Sequence, residues 1–269
     1  MAHKDDQQRK PGNVEDLKAA NARELHRAVR EEGQEELERP TGSLFWSGLA
    51  GGLAITASLV AEAAIAAHTA PSAARPLLIA LGYPIGFLMV ILGRMQLFTE
   101  STVTAMLPLV TDPSWEAAGR TIRLWGIVLG ANLTGTALAA LGFATLELGD
   151  PAMRSAMIEV SMKITEHGPL ATFVNAVPAG FLIAILAWTL PNAREQAVLV
   201  VFGIVYVVAI GGFSHSIVGS TETFFLLFSQ RIGGGQAFEF LVPAVLGNLF
   251  GGAGLFALLA HAQVREEGI

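Results

Sequence analysis

Long apolar stretches separated by short polar connections dominate the chain. Six of them exceed or approach the roughly 20 helical residues that cross a bilayer, and they cover residues 44–67, 77–110, 121–146, 170–190, 196–228 and 238–262. Composition agrees, with 52% hydrophobic residues, a mean hydropathy of +0.51 and only 15% charged residues. Soluble domains carry about a quarter charged residues. The pattern therefore predicts an all-α membrane protein with six transmembrane helices.

The second and fifth apolar stretches are too long for one straight crossing, and each contains polar residues near its middle. These residues lie in GRMQLFTEST and in GGFSHSIVGST, respectively. Both segments predict helices that are interrupted inside the membrane. An unpaired peptide group in hydrocarbon costs several kcal/mol, so such breaks persist only where protein or a water-filled path surrounds them. We expect both breaks to line one pathway.

The two halves of the chain resemble each other. GANLTGTALAAL and GNLFGGAGLFAL share Asn-Leu-x-Gly, and a predicted break precedes each at nearly the same separation. An odd number of crossings reverses direction, so three repeated spans predict an inverted 3+3 arrangement, in which paired broken helices indicate a midplane site. Asn132 and Asn248 can hydrogen-bond the open backbone of the breaks. We interpret them as scaffold.

A polar segment precedes the membrane region. Residues 1–40 predict a cytosolic segment with a helix over 14–39 that ends at Pro40, residues 41–263 the channel domain, and 264–269 a short cytosolic tail. The segment has no apolar core typical of a cleaved signal peptide. Most lysines and arginines fall on the side of the N-terminus, which predicts that both termini are cytoplasmic.

The first break supplies four candidate pore residues, the apolar Leu97 and Phe98 and the polar Thr99 and Glu100. The N-terminus of a half-helix presents free N–H groups and a positive dipole end that attracts anions. Thr99 can direct its hydroxyl into the pathway or act as an N-cap, and the two roles are compatible. For Glu100, capping the same N–H groups is favoured over proton relay, with Arg94 as its charge partner.

The second break places His215 in one of the most apolar parts of the chain. A single buried histidine is more often a packing residue than an active group, but its position opposite a matching break favours function. Ser214 and Ser216 are interpreted as helix caps. Glu62 and Glu222 are further intramembrane or interfacial carboxyls whose partners the sequence does not identify.

LFTEST, GFSHSI and LGNLFGG, in this order, resemble the signature segments of the formate/nitrite transporter family over about residues 40–263. In addition, EELERPTGSLFWSGLAGGL is similar to a less characterised bacterial branch with an extended polar N-terminus. The resemblance implies an aquaporin-like fold, a homopentamer with one pore per subunit, and passage of small monovalent anions such as formate, nitrite or hydrosulfide.

Site residues follow from the resemblance by motif. His215 matches the family's central pore histidine, Thr99 the threonine that faces it, and Leu97 a residue of the mobile loop in the second span. The residues that fall at the two apolar constrictions are Tyr83, Phe87 and Val208.

Two positions depart from the family pattern. Ala184 stands where well-studied members have an asparagine, and Ser214 stands where many have a glutamate. Glu100 adds a carboxylate to the first break. These differences bear on substrate choice more than on fold.

The leading functional hypothesis is a pore for a weak-acid anion in the bacterial inner membrane, either passive or coupled to protons through the central His215, which could donate a proton or only a hydrogen bond. A bare anion is costly to dehydrate, whereas the neutral acid crosses much more cheaply. The alternatives are an aquaporin-like channel for water or neutral solutes and a transport-deficient structural or regulatory protein. A serine–histidine enzyme is disfavoured because no Gly-x-Ser-x-Gly frames either serine. Protons and lipid are the other expected partners. We expect no cofactor, no metal and no nucleic acid, and the absence of cysteine excludes a thiolate site.

Overall fold

The computed structural model describes residues 20–146 and 150–266, in which helices joined by turns form the whole structure and no β-strand occurs. The helices are α1 (Ala22–Glu38), α2 (Thr41–Ile55), α3 (Ala57–His68), α4 (Arg75–Ala80), α5 (Pro84–Leu92), α6 (Phe98–Thr104), α7 (Met106–Thr111), α8 (Trp115–Thr145), α9 (Pro151–Met162), α10 (Pro169–Thr189), α11 (Ala197–Ile210), α12 (Ser216–Phe228), α13 (Gly234–Leu249) and α14 (Leu258–Glu266), with a π-helical turn, Phe250–Ala257, between the last two.

Within the described ranges, 5 helical segments are long and apolar enough to cross a membrane. They are Thr41–His68, Arg75–Leu92, Trp115–Thr145, Pro169–Asn192 and Gly234–Glu266. The helices α11 and α12 are equally apolar but shorter, because a break separates them. The fold is therefore that of a multi-pass, all-helical membrane protein.

Both predicted interruptions are present in the helices. The first lies between the end of α5 and the start of α6, and the second between α11 and α12. Each contains one residue with positive φ, Arg94 at 54° and Gly212 at 64°. Glycine adopts this left-handed conformation without steric cost, whereas arginine does not. The two residues stand four positions before the first residue of the following half-helix, so the breaks share their local geometry.

The N-terminal helix α1 begins later than its sequence pattern predicts. Asn21 is extended and forms a capping box with Glu24, so the helix starts at Ala22 rather than near residue 14. Residues 14–19 lie outside the described part of the chain. A Cβ on Gly33 would come within 1.9 Å of the Thr104 carbonyl oxygen, so α1 packs directly against α6. At the other terminus, α14 continues to Glu266.

Two helix pairs, α2 with α8 and α10 with α13, carry much of the packing. Small residues permit their close approach. A Cβ on Gly52 would lie 2.3 Å from the Asn132 carbonyl oxygen, and one on Gly180 would lie 2.2 Å from that of Asn248. The two repeated Asn-Leu-x-Gly segments therefore make the same type of backbone contact in both halves of the protein.

Candidate functional site

Asn132 on α8 satisfies the backbone of the first break. Its side-chain oxygen accepts a hydrogen bond from the Phe98 N–H at 2.9 Å, at the first residue of α6. Its amide nitrogen donates to the Gly48 carbonyl at 2.7 Å and to the Gln96 carbonyl at 2.9 Å. One fully buried asparagine thus pairs an N–H and a C=O group that the interrupted helix leaves open, and ties them to the Gly48 carbonyl of α2.

Asn248 on α13 does the same for the second break. It accepts from the Ser216 N–H at 2.7 Å and donates to the Ala176 carbonyl at 2.8 Å and the Ser214 carbonyl at 3.0 Å. Ser216 is the first residue of α12, as Phe98 is of α6. These contacts are the backbone hydrogen bonds that the sequence repeat suggests, with one asparagine assigned to each break.

The half-helices that these asparagines hold bring His215 and Thr99 together. The His215 Nε2 and the Thr99 Oγ1 are 2.9 Å apart, and both side chains are buried. The pair joins the two breaks, although 116 residues separate its members in the chain. This is the point where the polar atoms of both interruptions meet.

Hydrogen bonding defines the tautomer of His215. Its Nδ1 accepts from the Val218 N–H at 3.3 Å, which requires an unprotonated Nδ1. The proton of the neutral ring is therefore on Nε2 and is donated to the Thr99 oxygen. The Thr99 hydroxyl keeps its own proton, which remains available for an acceptor in the pathway.

Aromatic and aliphatic side chains pack around the His215–Thr99 pair. The Phe87 ring meets the His215 ring edge to face, with centroids 4.8 Å apart. Tyr83 stacks on Phe87 at 5.8 Å. The residues predicted to line the constrictions and the loop also belong to this one buried apolar cluster: Tyr83, Phe87, Val208, Leu97 and Phe98.

The caps of the half-helices differ from those expected. His215 itself, and neither Ser214 nor Ser216, is the N-cap of α12. The Ser216 hydroxyl is buried and has no hydrogen-bond partner among residues 20–146 and 150–266. For α6, the N-cap is Leu97, which makes no side-chain cap, so Thr99 has no capping role. The reason is that Asn132 and Asn248 already satisfy the first N–H of each half-helix.

Glu100 and Arg94 are not partners in an ion pair. Arg94 forms its salt bridge with Glu32 of α1 at 3.1 Å, because α1 docks beside the first break. Glu100 lies in the first turn of α6, near Glu36 and Glu32 of α1. The acidic residues of this region therefore face one another at the α1 end of the pathway.

The α1 end is closed by direct contacts between α1 and the first break. Glu36 accepts hydrogen bonds from Gln96 at 2.7 Å and from Thr104 at 2.6 Å. Gln96 in turn accepts from Ser101 at 3.1 Å. Burial raises the pKa of Glu36 above its usual value, and the hydrogen bonds from Thr104 and Gln96 oppose this rise. Sequence periodicity gives no indication of these contacts, because they depend on where α1 docks.

On the opposite side of His215 lies a cavity of about 180 Å³, which we name the Lys163-end cavity. Ser214 and Tyr83 line it together with His215. The sequence suggests no role for Lys163 or Thr172, which also line it. Glu62 and Glu222, whose partners the sequence leaves unidentified, face the same space. Two acids in otherwise apolar stretches are the signal that points to this cavity.

Ala184 is buried in a separate apolar cluster with Val103, Leu107 and Val29. It is not among the residues that line the Lys163-end cavity. Its methyl group packs toward α1, so any effect of this departure from the family pattern is exerted away from that cavity.

A membrane-embedded meeting of two broken helices, with buried polar atoms at their junction, defines a membrane channel or transporter. Residues 23–262 match the family model described as "Formate/nitrite transporter". The chain belongs to the formate/nitrite transporter family, whose members are channels and transporters rather than enzymes.

Two relatives are similar along most of their length. The Escherichia coli (strain K12) "Inner membrane protein YfdC" is 37% identical over 254 residues, which are 94% of this chain and 82% of that protein. The Bacillus subtilis (strain 168) "Uncharacterized transporter YrhG" is 24% identical over 251 residues, covering 88% and 92%.

Solved structures agree on the fold. An "FNT family ion channel" superposes with a TM-score of 0.75 at 17% identity, covering 90% of this chain and 98% of that one. A "Pentameric formate channel with formate bound" superposes with a TM-score of 0.71 at 20% identity, covering 84% and 98%. At these identities the likeness establishes the fold alone.

Proposed function

We propose that this protein is a channel or transporter for a small monovalent weak-acid anion of the formate, nitrite or hydrosulfide type, passing either passively or together with a proton. One observation carries the proposal: the 2.9 Å hydrogen bond between His215 and Thr99, at the junction of the two breaks. The family membership and the printed description of the solved formate channel support the substrate class.

The chemistry of the His215–Thr99 junction suits a weak-acid anion that becomes neutral by protonation during passage. The Thr99 hydroxyl can donate to the anion while the His215 N–H holds its oxygen in place. The N-terminus of α12 directs its positive end toward the same point. The surrounding apolar cluster makes passage of a bare anion costly and that of a neutral acid much cheaper.

In the proposed topology, α4 to α7 form one broken span and α11 with α12 another, which gives six crossings in an inverted 3+3, aquaporin-like repeat. The matching contacts of Asn132 and Asn248 support this arrangement. The excess of cationic residues toward the N-terminus supports cytoplasmic termini, with residues 1–40 as a cytosolic segment.

The proposed assembly is a homopentamer in the bacterial inner membrane. The printed names of the formate channel and of the Escherichia coli relative support these assignments. Large apolar side chains on the surface, such as Leu199 and Leu170, supply the faces for lipid and for neighbouring subunits.

The test is uptake of formate, nitrite and hydrosulfide into proteoliposomes over a range of external pH. Wild-type protein should accelerate at least one of the three above protein-free liposomes, and His215→Asn should change that flux by about tenfold, equivalent to about 1.4 kcal/mol. His68→Asn is the matched control, because His68 is exposed and bonds only the Ala64 carbonyl. Equal flux with and without protein for all three anions refutes the proposal.

A channel for water or neutral solutes is the second candidate. Glu100 favours it, because a carboxyl group at the first break would repel anions if it were ionised. Osmotic swelling of the same proteoliposomes in water and glycerol separates the two. Swelling without anion uptake would favour the neutral-solute channel.

A further inference from the structure

The Lys163-end cavity reaches His215, one of the two members of the His215–Thr99 junction. Its titratable and charged lining comes from several elements, namely Glu62 of α3, Tyr83, Lys163, Glu166 and His167 of the loop after α9, His215, and Glu222 of α12. The cavity therefore places five side chains that can exchange protons, besides one lysine and one phenol, within reach of an entering solute.

Two of these side chains are buried carboxyls. Glu62 is 5% exposed and Glu222 is 9% exposed. Both carboxyls line the same cavity as the exposed Lys163. Two ionised carboxylates facing one ammonium would leave an uncompensated buried negative charge, which is costly. The group becomes neutral when one of the two carboxyls carries a proton.

The cavity also contains unused hydrogen-bonding atoms. The Oε2 of Glu62 and the Oγ1 of Thr172 are buried and have no hydrogen-bond partner within the described chain. Thr172 is 1% exposed, and because it is not one of the two carboxyls it is a second observation at the same cavity. Buried polar atoms are nearly always paired, so two unpaired ones lining the same cavity indicate a site that takes up a polar ligand.

His215 is poorly placed to supply a proton to that ligand. Its Nε2 hydrogen is committed to Thr99, and its Nδ1 accepts from the Val218 N–H. Protonation of Nδ1 would set two N–H groups against each other and remove the cap of α12. The junction thus orients and hydrogen-bonds a solute, while the proton has to come from another group.

Building on the proposed function, we infer that Glu62 and Glu222 form the proton-loading site of the pathway. A weak-acid anion enters the cavity, and the protonated carboxyl of the pair transfers its proton to it. One carboxyl O–H bond breaks and one bond between hydrogen and the anion's oxygen or sulfur forms. Lys163 balances the new carboxylate, the neutral acid proceeds to Thr99, and water at the mouth returns a proton to the pair. Each cycle moves one anion and one proton.

The experiment measures anion uptake and internal acidification together in proteoliposomes, with wild type, Glu62→Gln, Glu222→Gln, the double variant and Glu222→Asp. At neutral external pH, the double variant should lose anion uptake by about tenfold or more, with a smaller loss at acidic pH where the free acid is already present. Glu222→Asp should retain proton-coupled uptake. Glu239→Gln is the matched control, because this exposed carboxylate lies one turn into α13.

Several outcomes overturn the inference. If the double variant keeps the wild-type rate, pH profile and proton-to-anion ratio, the proton comes from elsewhere. If Glu239→Gln loses uptake equally, surface charge explains the effect. If wild type transports none of the anions, the proposed function fails instead, so the two failures are distinguishable.

A spectroscopic measurement on wild type covers the case in which the variants do not fold. The infrared difference spectrum on adding formate should contain the carbonyl stretch of a protonated carboxylic acid, shifted in heavy water. The absence of any carboxylic acid band in that spectrum would contradict the inference without use of a variant.

Discussion

Replacing Asn248 with alanine removes the side chain that pairs two backbone groups of the second break and one carbonyl of α10. These are the Ser216 N–H at 2.7 Å, the Ala176 carbonyl at 2.8 Å and the Ser214 carbonyl at 3.0 Å. A typical hydrogen bond contributes about 1 kcal/mol net, and a buried group left without a partner costs about 1–3 kcal/mol. Three such groups give an expected loss of at least about 3 kcal/mol in the free energy of unfolding.

Asn192→Ala is the matched control for this substitution. Asn192 also makes two hydrogen bonds to backbone, with the N–H and carbonyl of Ala20, but it does so at an exposed position. Water replaces such bonds, so the expected loss is within about 0.5 kcal/mol.

The assay is reversible unfolding of the purified protein in mixed detergent micelles of increasing denaturing detergent content, followed by far-ultraviolet circular dichroism. Hydrogen exchange of residues 211–218, read by mass spectrometry, should speed up in Asn248→Ala and stay unchanged in Asn192→Ala. If the two variants lose equal stability and the exchange pattern does not change, water rather than Asn248 satisfies the break, and the reasoning is refuted.

Further predictions concern packing and pH. Gly180→Ala should destabilise the protein by more than about 3 kcal/mol or prevent its folding, since the new Cβ would lie 2.2 Å from the Asn248 carbonyl oxygen. The control Gly203→Ala, whose Cβ would meet nothing within 4 Å, should be neutral or stabilising. Equal melting temperatures of the two variants would contradict the close approach of α10 and α13. Burial, with the nearby charges of His261 and Arg30, lowers the pKa of His26 from 6.5 to about 4. Because the folded pKa is depressed, the neutral ring's contribution should be complete above about pH 6.5 and lost as the pH falls toward 4; the melting temperature should follow this curve in wild type and be flatter in His26→Gln.

Much of the scaffold is predictable because the same motif and the same type of polar interruption occur in both halves of the chain. The repeated Asn-Leu-x-Gly and the two polar interruptions identify Asn132 and Asn248 as partners of the breaks, and the structure shows their hydrogen bonds. Hydrophobic runs also locate the long helices to within a few residues, since the bilayer demands continuous apolar surface.

Contacts that depend on where one helix packs against another could not be predicted from the sequence. Arg94 pairs with Glu32, 62 residues away, because α1 packs beside the break, and no local pattern encodes this position. Sequence pattern alone did not distinguish His215 from its two serine neighbours as the N-cap of α12. Lys163 lines the same cavity as Glu62 and Glu222 because of the course of the loop after α9.

The asparagine contacts also bear on how this architecture can diversify. Because Asn132 of α8 and Asn248 of α13 pair the first N–H of each half-helix, a pathway side chain that makes no backbone hydrogen bond contributes little to keeping the backbone in place. Ser214, which lines the Lys163-end cavity and contacts Asn248 through its backbone carbonyl, can therefore be exchanged with little penalty to folding. Natural selection, or an engineer, can then alter selectivity through single substitutions while the backbone of the two breaks stays unchanged.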